Sequence, residues 1–329
     1  MIDPYGVIKT ATKFNRQIKD TYTLMIRVFD NGTPPMYADV NITVIIIEES
    51  SFPPTVSPLG VSITVSDDSF PGGVISQVKA FDRDAYDQLL FSIVANDNVG
   101  HLFEIDPLDG TVRAVQSLDA GEYVVNVSVS DGKFIRYADV RLVVESISPD
   151  MSDNAVVVRL ERIVPQEFVS GMLRGFLTAL KTELAVREKD IKILSIQPVI
   201  QSSPAPPRMR KRGTDSNLDV LLAVQKSQNK FYRGNALKRR LESAQETLQQ
   251  QAGIRIIKVF NNVCTKDSCI EGECNTVFRL KNDQPVRIQT DKEGYVFAQH
   301  TLTAQCTCKP GATGEKVFVI FKDFIVFIL

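Results

Sequence analysis

The hydrophobic pattern of this chain changes its period once. In the first half apolar and polar residues alternate, as at Leu24, Ile26 and Val28 or at Val125, Val127 and Val129, which is the period-two signature of a half-buried strand. Two pairs of segments recur. IDPYGVI (Ile2 to Ile8) matches IDPLDGTV (Ile105 to Val112), and YTLMIRVFDNG (Tyr22 to Gly32) matches YVVNVSVSDG (Tyr123 to Gly132). The two offsets nearly agree at about one hundred residues, so a domain is repeated. Short strands separated by Asp, Asn, Gly and Pro predict a β-sandwich.

From Ala155 the period lengthens. AVVVRLERI predicts a strand, and the next segment sets Phe168, Met172, Phe176, Leu180 and Leu184 at helical spacing. IKILSIQP and LDVLLAVQK predict two further strands. Leu237, Leu241, Ala244 and Leu248 then mark one face of a second helix that ends at Gly253, and IRIIKVF closes the series as a strand. The order β-α-β-β-α-β is the split βαβ arrangement of an α+β domain, with the two stripes forming its core.

At 329 residues, with 43% hydrophobic and 23% charged content, there is room for two to four small globular domains. A net charge of −1 gives no bulk attraction to nucleic acid or anionic lipid, so electrostatic function must come from local clusters and no nucleic-acid partner is expected. The chain holds only His101 and His300, in different predicted domains, with no phosphate loop or paired-carboxylate cleft; an enzyme is not expected. Cys264, Cys269, Cys274, Cys306 and Cys308 crowd into the last fifth, which points to a disulfide-stapled module and an oxidising compartment. His300 is the only histidine near them and no CxxC pair exists, which weighs against the alternative of a zinc site. No signal-peptide pattern opens the sequence, and the closing VFVIFKDFIVFIL is too short and too charged for a span of about 20 residues.

Acidic residues stand where the predicted strands end: Asp82 and Asp84 in AFDRDA, Asp131 in SVSDG, Asp30 in RVFDNG and Asp67 in VSDDSFPGG. This resembles the cadherin repeat over roughly residues 1 to 147. The resemblance implies all-β, Ig-like sandwich repeats whose carboxylates bind Ca²⁺ at the joint between domains, since Ca²⁺ takes six to eight oxygen ligands. It assigns Asp82, Asp84 and Asp131 to the second repeat's side of the joint, with Glu48 and Glu49 the remaining linker acids and Asp30 turned toward a repeat outside this chain. Phe14, Asn15, Arg16 and Gln17 stand where the family has an acidic turn, and IIIEESSFPPTV replaces its Asp/Asn-rich linker. Reduced occupancy follows, at most one or two weak sites. The same aspartates also suit plain turns, most of all Asp30 beside Asn-Gly.

The βαββαβ segment resembles an SEA-type domain, and its continuation into IRIIKVFNNVC resembles the region after the last cadherin repeat of Fat-family cadherins. Between its second and third strands lies a Pro/Ser-rich stretch bearing Arg208, Met209, Arg210, Lys211 and Arg212 before Gly213, which must project into solvent. A flexible basic loop suits a furin-type protease cutting after Arg212; a solvated loop or heparan-binding patch is the other reading. In SEA domains the break falls in this loop and the halves stay paired.

The cysteine spacing resembles an EGF-like module. That family's pairing implies Cys264 with Cys274 and Cys269 with Cys306, leaving Cys308 unpaired, with an apolar run where a sixth cysteine is expected near Val317. Sequons occur at Asn31, Asn41 and Asn126. The expected organisation is a partial cadherin repeat (1–50), a cadherin repeat (51–148), an SEA/ferredoxin-like domain (154–261, basic loop 198–217), an incomplete EGF-like module (262–316) and an apolar tail (317–329). The Fat-family resemblance implies a plasma-membrane adhesion receptor, extracellular here, that pairs with a Dachsous-like or Fat-like cadherin through repeats upstream. The alternative is mainly a processing and mechanical module that yields a noncovalent heterodimer.

Overall fold

The computed structural model describes residues 6–16, 18–46, 49–66, 69–94, 99–199, 216–227, 230–265, 268–269, 272–307, 319–321 and 324–326. Contacts divide the chain into two compact units. One holds Met1–Thr55, Ala80–Leu90 and Val129–Arg136, and the other Val56–Lys79, Phe91–Ser128 and Tyr137–Leu329.

In the first unit, β1 (Thr21–Phe29) and β2 (Tyr37–Ile45) form an antiparallel ribbon. Arg27 and Asp39, opposite each other, make a bidentate pair across it (2.7 and 2.8 Å). The alternation predicts a half-buried face here, yet Leu24 is 37% and Val28 63% exposed. A two-stranded ribbon has no second layer of its own to cover that face.

The second unit begins with a sandwich. One layer contains β3 (Leu59–Val65), β5 (Leu90–Ile93), β8 (Gly121–Ser130) and β9 (Ile135–Ser146), and the other β4 (Gly73–Gln77), β6 (Phe103–Ile105) and β7 (Thr111–Ala114). Val125, Val127 and Val129 are fully buried, as a strand facing a second sheet requires. Gly110 sits at φ +72°, where a Cβ would lie 2.5 Å from the Val78 carbonyl; only glycine fits this turn.

The α/β part follows. Strands β10 (Val156–Leu160), β11 (Ile191–Pro198), β12 (Leu218–Ser227) and β13 (Ile256–Phe260) form an antiparallel sheet in the order β11-β12-β10-β13. Helix α1 (Leu173–Leu184) is preceded by a wide π-type turn, Phe168–Met172. That turn re-phases the stripe, so Val169 and Leu173 join Phe168, Phe176 and Leu180 in the core while Met172 is only half-buried. The single predicted second helix is two, α2 (Gly234–Ser243) and α3 (Gln245–Ala252), broken at Ala244 and ended by left-handed Gly253 (φ +65°). Leu237, Leu241 and Leu248 stay fully buried across the break.

Residues 262–316 are expected as a self-contained module, but the structure gives most of that segment to one long hairpin: β14 (Glu273–Gln289) and β15 (Glu293–Thr307). Strand β15 pairs in parallel with β3, from Glu293 opposite Gly60 to Phe297 opposite Thr64. The hairpin thus extends the sandwich sheet to the order β14-β15-β3-β9-β8-β5. It also covers the face of the α/β sheet opposite α1, where Phe278, Leu280 and Leu302 pack on Val157, Leu221 and Ala223. With both faces covered, β12 is buried at seven successive positions from Leu218 to Val224, all apolar but Asp219, instead of alternating. The physical reason for the difference is apolar area: Ile288, Val296 and Phe297 find burial against other elements. In the tail, Val319–Phe321 pairs with Phe324–Val326. Among the described residues no helix is long and apolar enough to cross a membrane.

Candidate calcium joint and processing loop

The first unit brings the linker 49–52 onto two loops, 80–90 and 129–136. Asp84 Oδ2 accepts the backbone N–H groups of Ser51 and Phe52, both at 2.8 Å, and the Ser50 hydroxyl at 3.4 Å. Asp131 Oδ2 accepts the same hydroxyl at 3.1 Å, and its Oδ1 accepts the amides of Lys133 (2.7 Å) and Phe134 (2.6 Å). Asp82 Oδ1 accepts the Asp84 amide at 2.9 Å. Lys133 Nζ reaches Glu49 Oε1 and the Ser50 carbonyl, each at 2.7 Å.

The electrostatics follow from those partners. The amides of Phe52 and Ser51 hold the Asp84 carboxyl below the usual carboxylate range. Burial opposes ionisation of Asp131, but the Phe134 and Lys133 amides and the Ser50 hydroxyl outweigh it, so its pKa is also lowered. Glu49 is lowered by its bond to Lys133.

Asp82, Asp84 and Asp87 each present a carboxylate oxygen within 4.8 Å of the others. Asp82 Oδ2 and Asp87 Oδ2 are buried without a hydrogen-bond partner among the described residues. An orphaned buried acceptor carries the full desolvation penalty, and an oxygen-seeking cation relieves it; these three residues fit one Ca²⁺. Sequence reasoning missed Asp87, although it closes the same DRDAYD turn, and missed Lys133 and Ser50, which lie outside any count of acids.

Asp30 is placed elsewhere. Its Oδ1 accepts Gly32 N (3.0 Å) and Met36 N (2.8 Å) inside its own turn, which lowers its pKa through Met36 first. Asn31 and Asn41 are exposed; the Asn126 amide donates to Asp139 Oδ1 at 3.0 Å and is half-buried. Disulfides join Cys264 to Cys274 and Cys269 to Cys306. Glu48, Asp67, Cys308 and the basic residues Arg208, Arg210, Lys211 and Arg212 lie outside the described residues. The ends of that basic loop are fixed: Pro198 pairs with Leu218, and Val199 N donates to Asn217 O at 2.8 Å.

The cadherin-domain family model matches residues 61–157, which makes the sandwich a cadherin domain. Over 94% of its length the chain is 33% identical to the Fat-like cadherin-related tumor suppressor homolog of Drosophila melanogaster and 33% identical to Protocadherin Fat 1 of Homo sapiens, spanning 7% and 6% of those proteins. It is 27% identical to Protocadherin Fat 2 of Mus musculus, with 93% of the chain covered and 7% of that protein. A solved protocadherin gammaB7 structure is similar over 45% of this chain and 37% of its own at 23% identity and a TM-score of 0.27. The chain belongs to the Fat family of cadherins and spans less than a tenth of the length of these relatives.

Proposed function

We propose that this segment is the membrane-proximal stalk of a Fat-type adhesion receptor on the extracellular side of the plasma membrane. It joins cadherin repeats at a calcium-depleted joint and carries a convertase-type cleavage loop. Recognition of another cadherin, Dachsous-like or Fat-like, belongs to repeats outside this chain, and no catalytic role is assigned. The α/β part is read as an SEA/ferredoxin-like domain, and the cysteine segment as derived from an EGF-like module. The observation that carries the calcium reading is the pair of orphaned oxygens on Asp82 and Asp87 beside Asp84. Calcium, when bound, supplies positive charge that quenches the repulsion of three carboxylates; Asp82, Asp84 and Asp87 would hold it. Calorimetric titration should find one ion per chain and none after Asp82→Asn with Asp87→Asn. No uptake by the unaltered chain sinks the reading.

The processing reading is favoured by strand order. Strands β10 and β11 precede the basic loop, β12 and β13 follow it, and the sheet order β11-β12-β10-β13 alternates between the two sides. Each of the three ladders among these four strands would therefore hold the two pieces together after a cut at Arg212. Both disulfides lie C-terminal to the loop, so no described covalent bond bridges it. Secreted from convertase-containing cells, the chain should run as two bands in a denaturing nonreducing gel, one beginning at Gly213, and as one species in gel filtration. A single intact band from such cells refutes cleavage.

A further inference from the structure

The chain supplies a basic charge of its own at the linker. Lys133 Nζ lies 2.7 Å from the Glu49 carboxylate and 2.7 Å from the Ser50 carbonyl. These are a carboxylate and a main-chain carbonyl, the oxygen types that a hard divalent cation takes. An ammonium is a compact point charge with three donors and satisfies them without a metal. Asp131, on the same loop, is occupied as well: one oxygen accepts the Lys133 and Phe134 amides and the other the Ser50 hydroxyl. Asp84 Oδ2 already receives the Ser51 and Phe52 amides and the Ser50 hydroxyl. Six linker contacts are thus made by donors of the protein itself, and the set of Glu49, Ser50 and Asp131 does not fit a second calcium.

We propose that Lys133 is the resident cation of the edge formed by Glu49, Ser50 and Asp131, so that linker residues 49–52 are fastened to the 80–90 and 129–136 loops without calcium. Metal uptake is then confined to Asp82, Asp84 and Asp87, and this part rests on the calcium reading above. Sequence patterns built from carboxylates cannot display such a device, because its central group is basic.

The test is amide exchange across residues 49–52 in the 329-residue chain, in chelator and in millimolar calcium. The unaltered chain should protect the Ser51 and Phe52 amides equally in both. Lys133→Ala should weaken that protection in chelator by roughly three- to tenfold, the range for a charge-assisted hydrogen bond with solvent access. Glu49→Gln should weaken it less, since the Ser50 carbonyl keeps the ammonium. A circular-dichroism melt of each variant checks that it folds. Protection that appears only with calcium, or that is unchanged in Lys133→Ala, overturns the proposal and leaves the calcium reading standing. Absence of terbium uptake would sink the calcium reading alone.

Discussion

His300 offers a sharp pH prediction. It lies on β15, only 3% exposed, with both ring nitrogens lacking a hydrogen-bond partner among the described residues. Its backbone is pinned by Gln197, whose side chain accepts His300 N at 3.0 Å and donates to His300 O at 2.9 Å. Burial pushes its pKa down from 6.5 to about 4, with Asp219 pulling upward and Arg159 downward. The sign follows from proton counts. Between about pH 6.5 and 4 the unfolded chain binds a proton that the folded chain refuses, so stability falls as pH drops through that window. At about 1.4 kcal/mol per pH unit the loss approaches about 3 kcal/mol by pH 4. Replacing His300 with Leu removes the titrating group and leaves no polar atom to satisfy. Urea unfolding followed by the helical circular-dichroism signal, at several pH values, should give a markedly flatter stability curve for the variant over that window. Parallel curves for the two proteins would refute the reasoning, and so would a resonance assigned to His300, absent from the His300→Leu variant, that titrates near the ordinary histidine value.

Three further outcomes can be measured the same way. Phe176→Ala, at a fully buried site in edge contact with Phe168, should cost about 4 kcal/mol. Asp219→Asn breaks the bidentate bond to Arg159 (2.8 Å twice) and should cost about 2 kcal/mol, less than a fully buried pair because Arg159 keeps solvent contact. Replacing Cys269 and Cys306 by Ser opens a loop with a sequence separation of 37 and should lower stability by about 3 to 4 kcal/mol in the chain-entropy model, read as a lower midpoint of unfolding.

Much of this architecture was legible in local pattern. Val125, Val127 and Val129 alternate because each faces a second layer, and Phe176, Leu180 and Leu184 keep helical spacing because a helix buries one stripe. The parts that escaped are those decided at long range. Glu273–Thr307 was absorbed into a cysteine spacing, since nothing local announces that β15 will lie beside β3, more than two hundred residues earlier. Leu24 and Val28 alternate correctly, yet alternation says nothing about whether a covering layer is present. Near the linker, Asp82, Asp84 and Asp131 are conspicuous in the sequence because they are acids that follow strands. Asp87 and Lys133 are not, because one requires the fold of the turn and the other reverses the expected sign.

The alternating strand order of the α/β sheet imposes a timetable on biosynthesis. Among those four strands neither stretch flanking the basic loop owns two neighbours, so a chain nicked before it had collapsed would leave strands with unpaired edges open to aggregation. On the proposed cut at Arg212, the protease would act only after the sheet has formed, and a variant that folds slowly should be lost as debris and not secreted as a nicked pair.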